Sequence, residues 1–152
     1  MLVYVIDDEK FILKLLDRSL KKDNHSVKVF DSGIKFISEI ATLPKPDIIL
    51  LDVVMPGLNG LEVLEKLTHH YNNLQKQLPY VVFMSAYDQT GILTKYLAKE
   101  GVWFIPKPFG INELRMVFSE ITRHDQKTSS GAYPATPYPK QTPTKNSETT
   151  LH

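Results

Sequence analysis

The sequence predicts an α/β fold, a doubly wound five-stranded parallel sheet with helices on both faces. Short apolar runs rich in Val and Ile alternate with longer segments in which apolar residues recur at helical spacing, which is typical of repeated βαβ units. Five such pairs can be counted in residues 2–123. The third run, residues 47–51, is apolar after its first residue, as expected for a central parallel strand buried on both faces.

The elements follow in order along the chain. Residues 2–6 are a continuous apolar run that predicts strand one. The next apolar residues recur at helical spacing and predict helix one: Phe11, Ile12, Leu15, Leu16 and Leu20. Residues 27–30 predict strand two, and residues 31–33 supply a capping group ahead of helix two. The remaining predictions are strands at 47–51, 80–84 and 103–105, and helices at 58–67, 89–99 and 111–123, with Gly101 as a helix C-cap.

Composition limits the domain organisation. The 152 residues are 42% hydrophobic, enough for one sizeable core. Residues 125–152 are rich in Thr, Ser and Pro and contain one large aliphatic residue, Leu151, so they cannot bury a core. We expect a folded domain over residues 1–124 and a disordered tail over residues 125–152, extended from about residue 126 onward. We therefore expect no DNA-binding or enzymatic effector domain in this chain.

Charge and residue types exclude several function classes. The formal net charge is +1, so we expect no broad basic field that could hold nucleic acid or an anionic membrane. The absence of cysteine removes disulfides, thiolate chemistry and Cys-ligated metals, and fits a cytoplasmic protein. No apolar run approaches the roughly 20 residues that a membrane span needs. We therefore expect a cytoplasmic protein with local contacts to partner proteins.

Polar residues follow the predicted strands where each strand ends. Strand one ends at Asp7, Asp8 and Glu9, strand three at Asp52, and strand four at Ser85. Strand five runs into Lys107. Because ligands of open parallel sheets bind beyond the carboxyl ends of the strands, we expect these side chains to share one site.

This set of side chains points to phosphate chemistry. Clustered carboxylates repel one another unless their pKa values rise or a hard cation neutralises them, and Mg²⁺ takes oxygen ligands and keeps waters that a phosphate oxygen can replace. A carboxylate can attack a phosphoryl group to form an acyl phosphate, while a cation and an ammonium stabilise the transferring oxygens. Asp52 is the candidate nucleophile, and Lys107 supplies the ammonium.

Four segments resemble the signature segments of response-regulator receiver domains. They are Ile6-Asp7-Asp8-Glu9, the run from Asp52 to Gly60, Met84-Ser85-Ala86 and Lys107-Pro108-Phe109, and the resemblance covers residues 1–123. It implies a flavodoxin-like (βα)5 fold with strand order 2-1-3-4-5. It also implies a cis bond before Pro108, which agrees with cis peptides being confined almost entirely to X-Pro bonds.

The resemblance assigns a role to each matching residue. Asp7 and Asp8 would hold Mg²⁺ together with Asp52 and the backbone carbonyl of Val54. Asp52 would accept a phosphoryl group from a histidine kinase or histidine phosphotransfer protein, and Lys107 would pair with the phosphate. The switch residues would be Ser85, whose hydroxyl turns toward the phosphoryl group, and Phe104, which changes rotamer with it.

One segment departs from the family pattern, and two residues occupy positions that vary within it. The segment from Gly101 to Lys107 is one residue shorter than the common spacing and places Trp103 where small or polar residues are usual. Val54 and Tyr87 occupy the two variable positions that set phosphate lifetime in this family. Because both are bulky, we expect them to obstruct an attacking water and to give a long-lived phosphoryl state.

The resemblance implies a two-component signalling switch that catalyses only its own phosphorylation and dephosphorylation. Output would pass through the face of helix four, strand five and helix five to an unidentified partner or a second copy of the chain. Two alternatives stay open: a receiver-like interaction module that signals without phosphorylation, and the receiver part of a truncated transcriptional regulator. A haloacid-dehalogenase-like phosphatase is disfavoured, because Val54 stands where those enzymes carry a second acid.

Overall fold

The computed structural model describes residues 1–86 and 90–128. Within these ranges strands and helices alternate. The strands are β1 (Leu2–Ile6), β2 (Ser26–Phe30), β3 (Ile48–Asp52), β4 (Tyr80–Ser85) and β5 (Val102–Pro106). The helices are α1 (Lys10–Lys22), α2 (Gly33–Glu39), α3 (Gly60–Asn73), α4 (Thr90–Leu97) and α5 (Ile111–Thr128), and a short 3₁₀ turn, Ile40–Thr42, follows α2.

The five strands form one parallel sheet in the order β2-β1-β3-β4-β5. This confirms the predicted fold class and strand order. The central strand β3 is buried at all five positions, as its apolar sequence indicates. None of the helices in the described residues is both long and apolar enough to cross a bilayer.

Helices cover both faces of the sheet and create two apolar cores. Helices α2, α3 and α4 bury Phe36, Leu64 and Tyr96 against one face, in a cluster with Phe83 of β4. Helices α1 and α5 cover the other face, where their buried residues are Leu13, Leu16, Leu20, Leu114, Val117, Phe118 and Ile121. The sheet is therefore doubly wound, with every parallel crossover packed onto it.

Trp103 and Phe104 face opposite sides of β5, as adjacent residues of a strand must. Trp103 is buried in the core between the sheet and helices α1 and α5. Phe104 is partly buried and packs against the core on the other face.

Helix α3 begins two residues later than predicted because Asn59 caps it. The Asn59 side chain accepts a 3.0 Å hydrogen bond from the Glu62 backbone, and the Glu62 carboxylate accepts one of 2.9 Å from the Asn59 backbone. This reciprocal pair satisfies two amides that the first helical turn leaves without partners. The start of α3 after β3 is thereby fixed close to Asp52.

Two helices extend beyond their predicted ends. Helix α3 was predicted to end at residue 67 but continues to Asn73, where the buried Tyr71 holds the added turn against the core. Helix α5 was predicted to end at residue 123 but continues to Thr128, so the disordered tail expected from residue 125 and the extended chain expected from about residue 126 are both wrong up to residue 128. Residues 129–152 lie outside the described residues, and the disordered tail stays a prediction. Gly101 has a φ of +80°, as a C-cap would, but it follows the end of α4 by four residues and leads into β5.

Candidate functional site

The structure brings the predicted site residues together at the carboxyl edge of the sheet. Asp7 directly follows β1, Asp52 is the last residue of β3, Ser85 is the last residue of β4, and Lys107 directly follows β5. Asp52 is paired in register with Met84, the neighbour of Ser85. Adjacent strands therefore deliver an acid, a hydroxyl and an ammonium to one edge.

Lys107 is the centre of the charged contacts. Its Nζ lies 2.8 Å from Asp7 Oδ2, 3.3 Å from Asp52 Oδ1 and 3.4 Å from Glu9 Oε1. Asp7 is fully buried, Asp52 is 5% exposed, and Ser85 is buried as well. One ammonium thus bridges two buried carboxylates from different strands, and it also reaches an exposed third.

The backbone around Lys107 fixes where its side chain begins. The Lys107 amide donates a 2.6 Å hydrogen bond to the Ser85 carbonyl, which extends the pairing of β4 and β5 by one residue. The Lys107-Pro108 peptide bond is cis, as predicted. The backbone of Lys107 is therefore hydrogen-bonded to the end of β4, where Ser85 lies.

Asp7, Asp8 and Asp52 form a group suited to a hard divalent cation. One carboxylate oxygen from each lies within 4.8 Å of the others. Asp8 is exposed, whereas Asp7 and Asp52 are buried, so the group opens to solvent on one side. Carboxylate oxygens on an open site are the ligands with which Mg²⁺ is usually bound while it keeps waters for a phosphate. The residues present fit Mg²⁺, and the contribution of the Val54 carbonyl stays a prediction.

Burial and charge shift the pKa values within the site. Burial, and then the negative charge of Asp7, raise the pKa of Asp52 to about 6, although Lys107 lowers it. Burial also raises the pKa of Asp7, and the hydrogen bond from Lys107 offsets only part of that rise. For Lys107, burial opposes the charged form, but the hydrogen bond to Asp7 and the charge of Asp52 outweigh it and raise the pKa. One lysine therefore does not neutralise the site, which favours a bound cation.

Gly60 positions Asp52, a role the sequence analysis did not assign. A Cβ at Gly60 would lie 2.2 Å from the Asp52 carbonyl oxygen and 2.9 Å from the Val53 Cα. The Gly60 amide donates a 2.9 Å hydrogen bond to the Val53 carbonyl. The start of α3 thus presses directly on the backbone of the acceptor residue, and only glycine fits there. The signal was the Gly60 that directly follows the capping Asn59.

Glu9 is the second contact without a predicted role. It follows Asp7 and Asp8 in the sequence, but no role was predicted for its side chain. Its amide donates a 2.9 Å hydrogen bond to Asp7 Oδ1, which holds the Asp7 carboxylate from the side opposite Lys107. Its own carboxylate lies at the mouth of the site, close to Lys107. This tertiary contact could not be predicted from the sequence.

The remaining predicted residues are placed as follows. Val54 is 65% exposed, two residues after Asp52. Phe104 lies three residues before Lys107 on β5, partly buried against the α3 and α4 side of the sheet. Tyr87, the second residue predicted to set phosphate lifetime, lies outside the described residues. The functional roles of all these side chains stay predictions.

A five-stranded parallel sheet with an acidic cluster and a lysine at its carboxyl edge defines the receiver class of signalling domains, and comparison with known proteins agrees. The family model of the response regulator receiver domain matches residues 3–119. The chain therefore belongs to the response regulator receiver domain family. This confirms the resemblance seen in the sequence.

Two curated relatives are similar to this chain over most of its length. The chain is 33% identical over 114 residues to response regulator MprA of Mycobacterium avium (strain 104), which covers 75% of this chain and 47% of that protein. It is 27% identical over 127 residues to the DNA-binding transcriptional regulator NtrC of Escherichia coli (strain K12), which covers 83% of this chain and 26% of that protein. The chain thus spans between about a quarter and about half of these relatives.

Two solved structures illustrate the fold. The receiver domain of Francisella response regulator 1452 aligns with a TM-score of 0.66 at 26% identity, over 82% of this chain and 98% of that one. The chemotaxis protein CheY4 of Vibrio cholerae aligns with a TM-score of 0.68 at 18% identity, over 79% of this chain and 97% of that one. The second likeness, at this identity, concerns the fold alone.

Proposed function

We propose that the chain is a phosphorylation-dependent switch in which Asp52 accepts a phosphoryl group from a histidine kinase or a histidine phosphotransfer protein. The observation that carries this proposal is the position of Lys107 Nζ, 3.3 Å from Asp52 Oδ1 and 2.8 Å from Asp7 Oδ2. A lysine bridging two carboxylates at the open edge of a parallel sheet suits the transfer of an anionic group onto one of them. A purely structural role would have no use for three neighbouring acids at this edge.

The transfer step follows from the chemistry of the carboxylate. An Asp52 oxygen attacks the phosphorus of a phosphohistidine, an O–P bond forms as the N–P bond breaks, and the electron pair returns to the imidazole nitrogen. Lys107 can pair with a phosphoryl oxygen because its ammonium already lies beside Asp52.

Asp7, Asp8 and Asp52, with the Val54 carbonyl, are the proposed ligands of Mg²⁺. When bound, Mg²⁺ would supply positive charge to the transferring phosphoryl oxygens. Asp7 is held in place for this role by Lys107 on one oxygen and by the Glu9 amide on the other. Asp8, the exposed member, would supply a further carboxylate ligand.

Signalling would pass through protein contacts. Ser85 and Phe104 are the proposed switch residues, and a change in their packing would alter the face formed by α4, β5 and α5. That change would set the affinity for an output protein or for a second copy of the chain. The chain would catalyse only its own phosphorylation and dephosphorylation, and no nucleic-acid contact is proposed for it alone.

Intact-mass spectrometry after incubation with acetyl phosphate tests the proposal. We expect one added phosphoryl group with Mg²⁺, none with EDTA and none in Asp52→Asn. Asp31→Asn is a matched control, because Asp31 is an exposed aspartate directly after β2 on the same edge of the sheet. It should be phosphorylated like the wild type. A wild type that stays unmodified with Mg²⁺ would favour the phosphorylation-independent interaction module instead.

A further inference from the structure

Four side chains near the amino-terminal edge of the sheet form a cluster that no site residue belongs to. The His124 ring of α5 lies edge-on to the Trp103 ring of β5, with ring centroids 6.2 Å apart and planes at 90°. It lies edge-on to the Tyr80 ring of β4 as well, at 6.2 Å and 84°. The Tyr80 hydroxyl donates a 3.1 Å hydrogen bond to Asp125 Oδ1. We call Tyr80, Trp103, His124 and Asp125 the aromatic clamp.

The clamp fastens the last turns of α5 to two strands. Tyr80 and Trp103 come from neighbouring strands, since Trp103 is paired in register with Val82, two residues after Tyr80. Trp103 and His124 are both buried, at 6% and 8% exposure. Burial, with the hydrogen bond to Asp125, raises the pKa of Tyr80 to about 12, so its hydroxyl remains a donor at every physiological pH. Perpendicular ring pairs of this kind stabilise the folded state by more than the burial of their surface alone.

The clamp also supports the extension of α5 beyond its predicted end at residue 123 to Thr128. Ile121 still packs in the core, whereas residues 122–128 carry no apolar side chain. Contacts of His124 and Asp125 with the sheet supply the tertiary support that an isolated helix end lacks.

Strand β5 touches both the clamp and the candidate phosphorylation site. Trp103 contacts α5, its neighbour Phe104 packs on the opposite face of the sheet, and Lys107 directly follows the strand. The Lys107 amide is bonded to the end of β4, the strand that begins with Tyr80. Both strands of the clamp therefore end at the site.

We propose that the aromatic clamp couples the state of the Asp52 site to residues 120–128 of α5, and hence to the chain that follows Thr128. A change in the contacts of Lys107 shifts β5 relative to β4 and α5, and the ring contacts of His124 pass that shift to the helix extension. This is a second output route, distinct from the exposed face of α4, β5 and α5. In its phosphorylation-dependent form it rests on the proposed function. The physical requirement is an element with two arrangements that both sites bias.

Two measurements test the coupling: the backbone hydrogen exchange of residues 120–128 and the fluorescence of Trp103. Trp103 is the single tryptophan of the chain, so the tryptophan emission reports on its surroundings, which include the clamp. Two perturbations of the site are used in the full chain: phosphorylation with acetyl phosphate and Mg²⁺, and Lys107→Ala without a phosphodonor. Either one should change the exchange rates of residues 120–128 by about threefold or more relative to those of α1, which a general loss of stability would not do, and should shift the Trp103 emission.

Two clamp variants and one control separate coupling from general loosening. His124→Ala should raise the basal exchange of residues 120–128 and abolish the further change caused by either perturbation. Tyr80→Phe, which keeps the ring and removes only the hydroxyl bonded to Asp125, should weaken that change while the domain stays folded. Arg123→Ala is the control, because its exposed side chain pairs with Glu120 on the same helix. It should leave the response intact.

The outcomes distinguish this inference from the proposed function. A phosphorylated wild type whose residues 120–128 exchange as before overturns the coupling and leaves the switch standing. A response that persists in His124→Ala also overturns it. If no phosphoryl group is acquired, the proposed function fails, and the Lys107→Ala arm still decides the coupling, since an unchanged exchange rate there contradicts it.

Discussion

The ammonium of Lys107 donates a 2.8 Å hydrogen bond to Asp7, a carboxylate with no exposed surface. These two residues are separated by 100 positions in sequence and come from strands at different places in the sheet, with β3 and β4 between them. Their contact joins the amino-terminal strand to the carboxyl-terminal strand across the site. Removal of the Lys107 ammonium would leave the buried Asp7 carboxylate without this positively charged partner.

Lys107→Ala should therefore destabilise the protein when no divalent cation is present. Breaking a buried charge pair is costly because the remaining charge stays desolvated, and we expect the free energy of unfolding to fall by about 2–3 kcal/mol at pH 7. Urea denaturation in EDTA measures it. Lys21→Ala is the control, since Lys21 forms an exposed pair with Asp17 within α1 and should change stability by about 0.5 kcal/mol or less. Equal effects of the two variants would contradict the structural importance of Lys107.

Asp52→Asn should stabilise the cation-free protein at neutral pH. The pKa of Asp52 is about 6 in the folded protein against an ordinary value of 3.8 for a solvated aspartate, so the folded state takes up a proton between these values while the unfolded state does not. The destabilisation by Asp52 is therefore fully present above pH 6 and is lost as the pH falls toward 4. Allowing for solvent screening, we expect Asp52→Asn to be more stable than the wild type by about 1–2 kcal/mol at pH 7.

Urea denaturation of the wild type and of Asp52→Asn is compared at pH 7 and at pH 4.5, in EDTA throughout. The difference in the free energy of unfolding between the two proteins at each pH separates the effect of Asp52 from that of other titrating groups. The advantage of Asp52→Asn should shrink at the lower pH, whereas Asp31→Asn should show no such pH-dependent advantage. An advantage that grows as the pH falls would mean that the charge of Asp52 is stabilised in the folded state, against the electrostatics described here.

Gly60→Ala should disturb the acceptor residue through sterics alone. Its Cβ would lie 2.2 Å from the Asp52 carbonyl oxygen, so the start of α3 has to move away from β3. We expect a loss of about 2 kcal/mol in the free energy of unfolding and slower phosphorylation of Asp52. Gly110→Ala is the matched control, because a Cβ there meets only the Glu113 carboxylate at 3.6 Å. A Gly60→Ala protein as stable and as reactive as Gly110→Ala would refute the positioning role.

Val54 should prolong the phosphoryl state. Its side chain is 65% exposed two residues after Asp52, where an apolar group can obstruct a water that approaches the acyl phosphate. Val54→Asn should accept the phosphoryl group normally and lose it faster, because a polar side chain can orient an attacking water. Decay of the phosphorylated mass with time after removal of the donor gives both half-lives. A wild type that decays as fast as chemotaxis-type receivers would contradict the prediction.

The strands and the site were predictable because parallel sheets leave strong local signals. Each strand is a short apolar run, and the residue that ends it reaches the carboxyl edge whatever the helices do. Asp7, Asp52 and Lys107 could therefore be placed together from the sequence. Their distances could not be predicted, and neither could the contact of Glu9 with Lys107, which depends on the direction of an exposed side chain.

The ends of helices were the least predictable features. Helix α3 continues to Asn73 and α5 to Thr128 through polar residues that fit a loop equally well. Both extensions are held by single buried aromatic or imidazole side chains, Tyr71 and His124, whose partners are distant in sequence. The close approach of Gly60 to the Asp52 backbone is likewise a tertiary contact that the sequence does not display.

The most direct test of the switch is transfer from a nitrogen–phosphorus bond. The wild type is incubated with phosphoramidate, a small P–N donor that imitates phosphohistidine, and the modified peptide is located by mass spectrometry with Mg²⁺ present or chelated. We predict one phosphoryl group on Asp52, dependent on Mg²⁺ and absent from Lys107→Ala over the same period. A phosphoryl group on another residue, or equal modification in EDTA, would contradict the assignment of Asp52 as the acceptor beside a magnesium site.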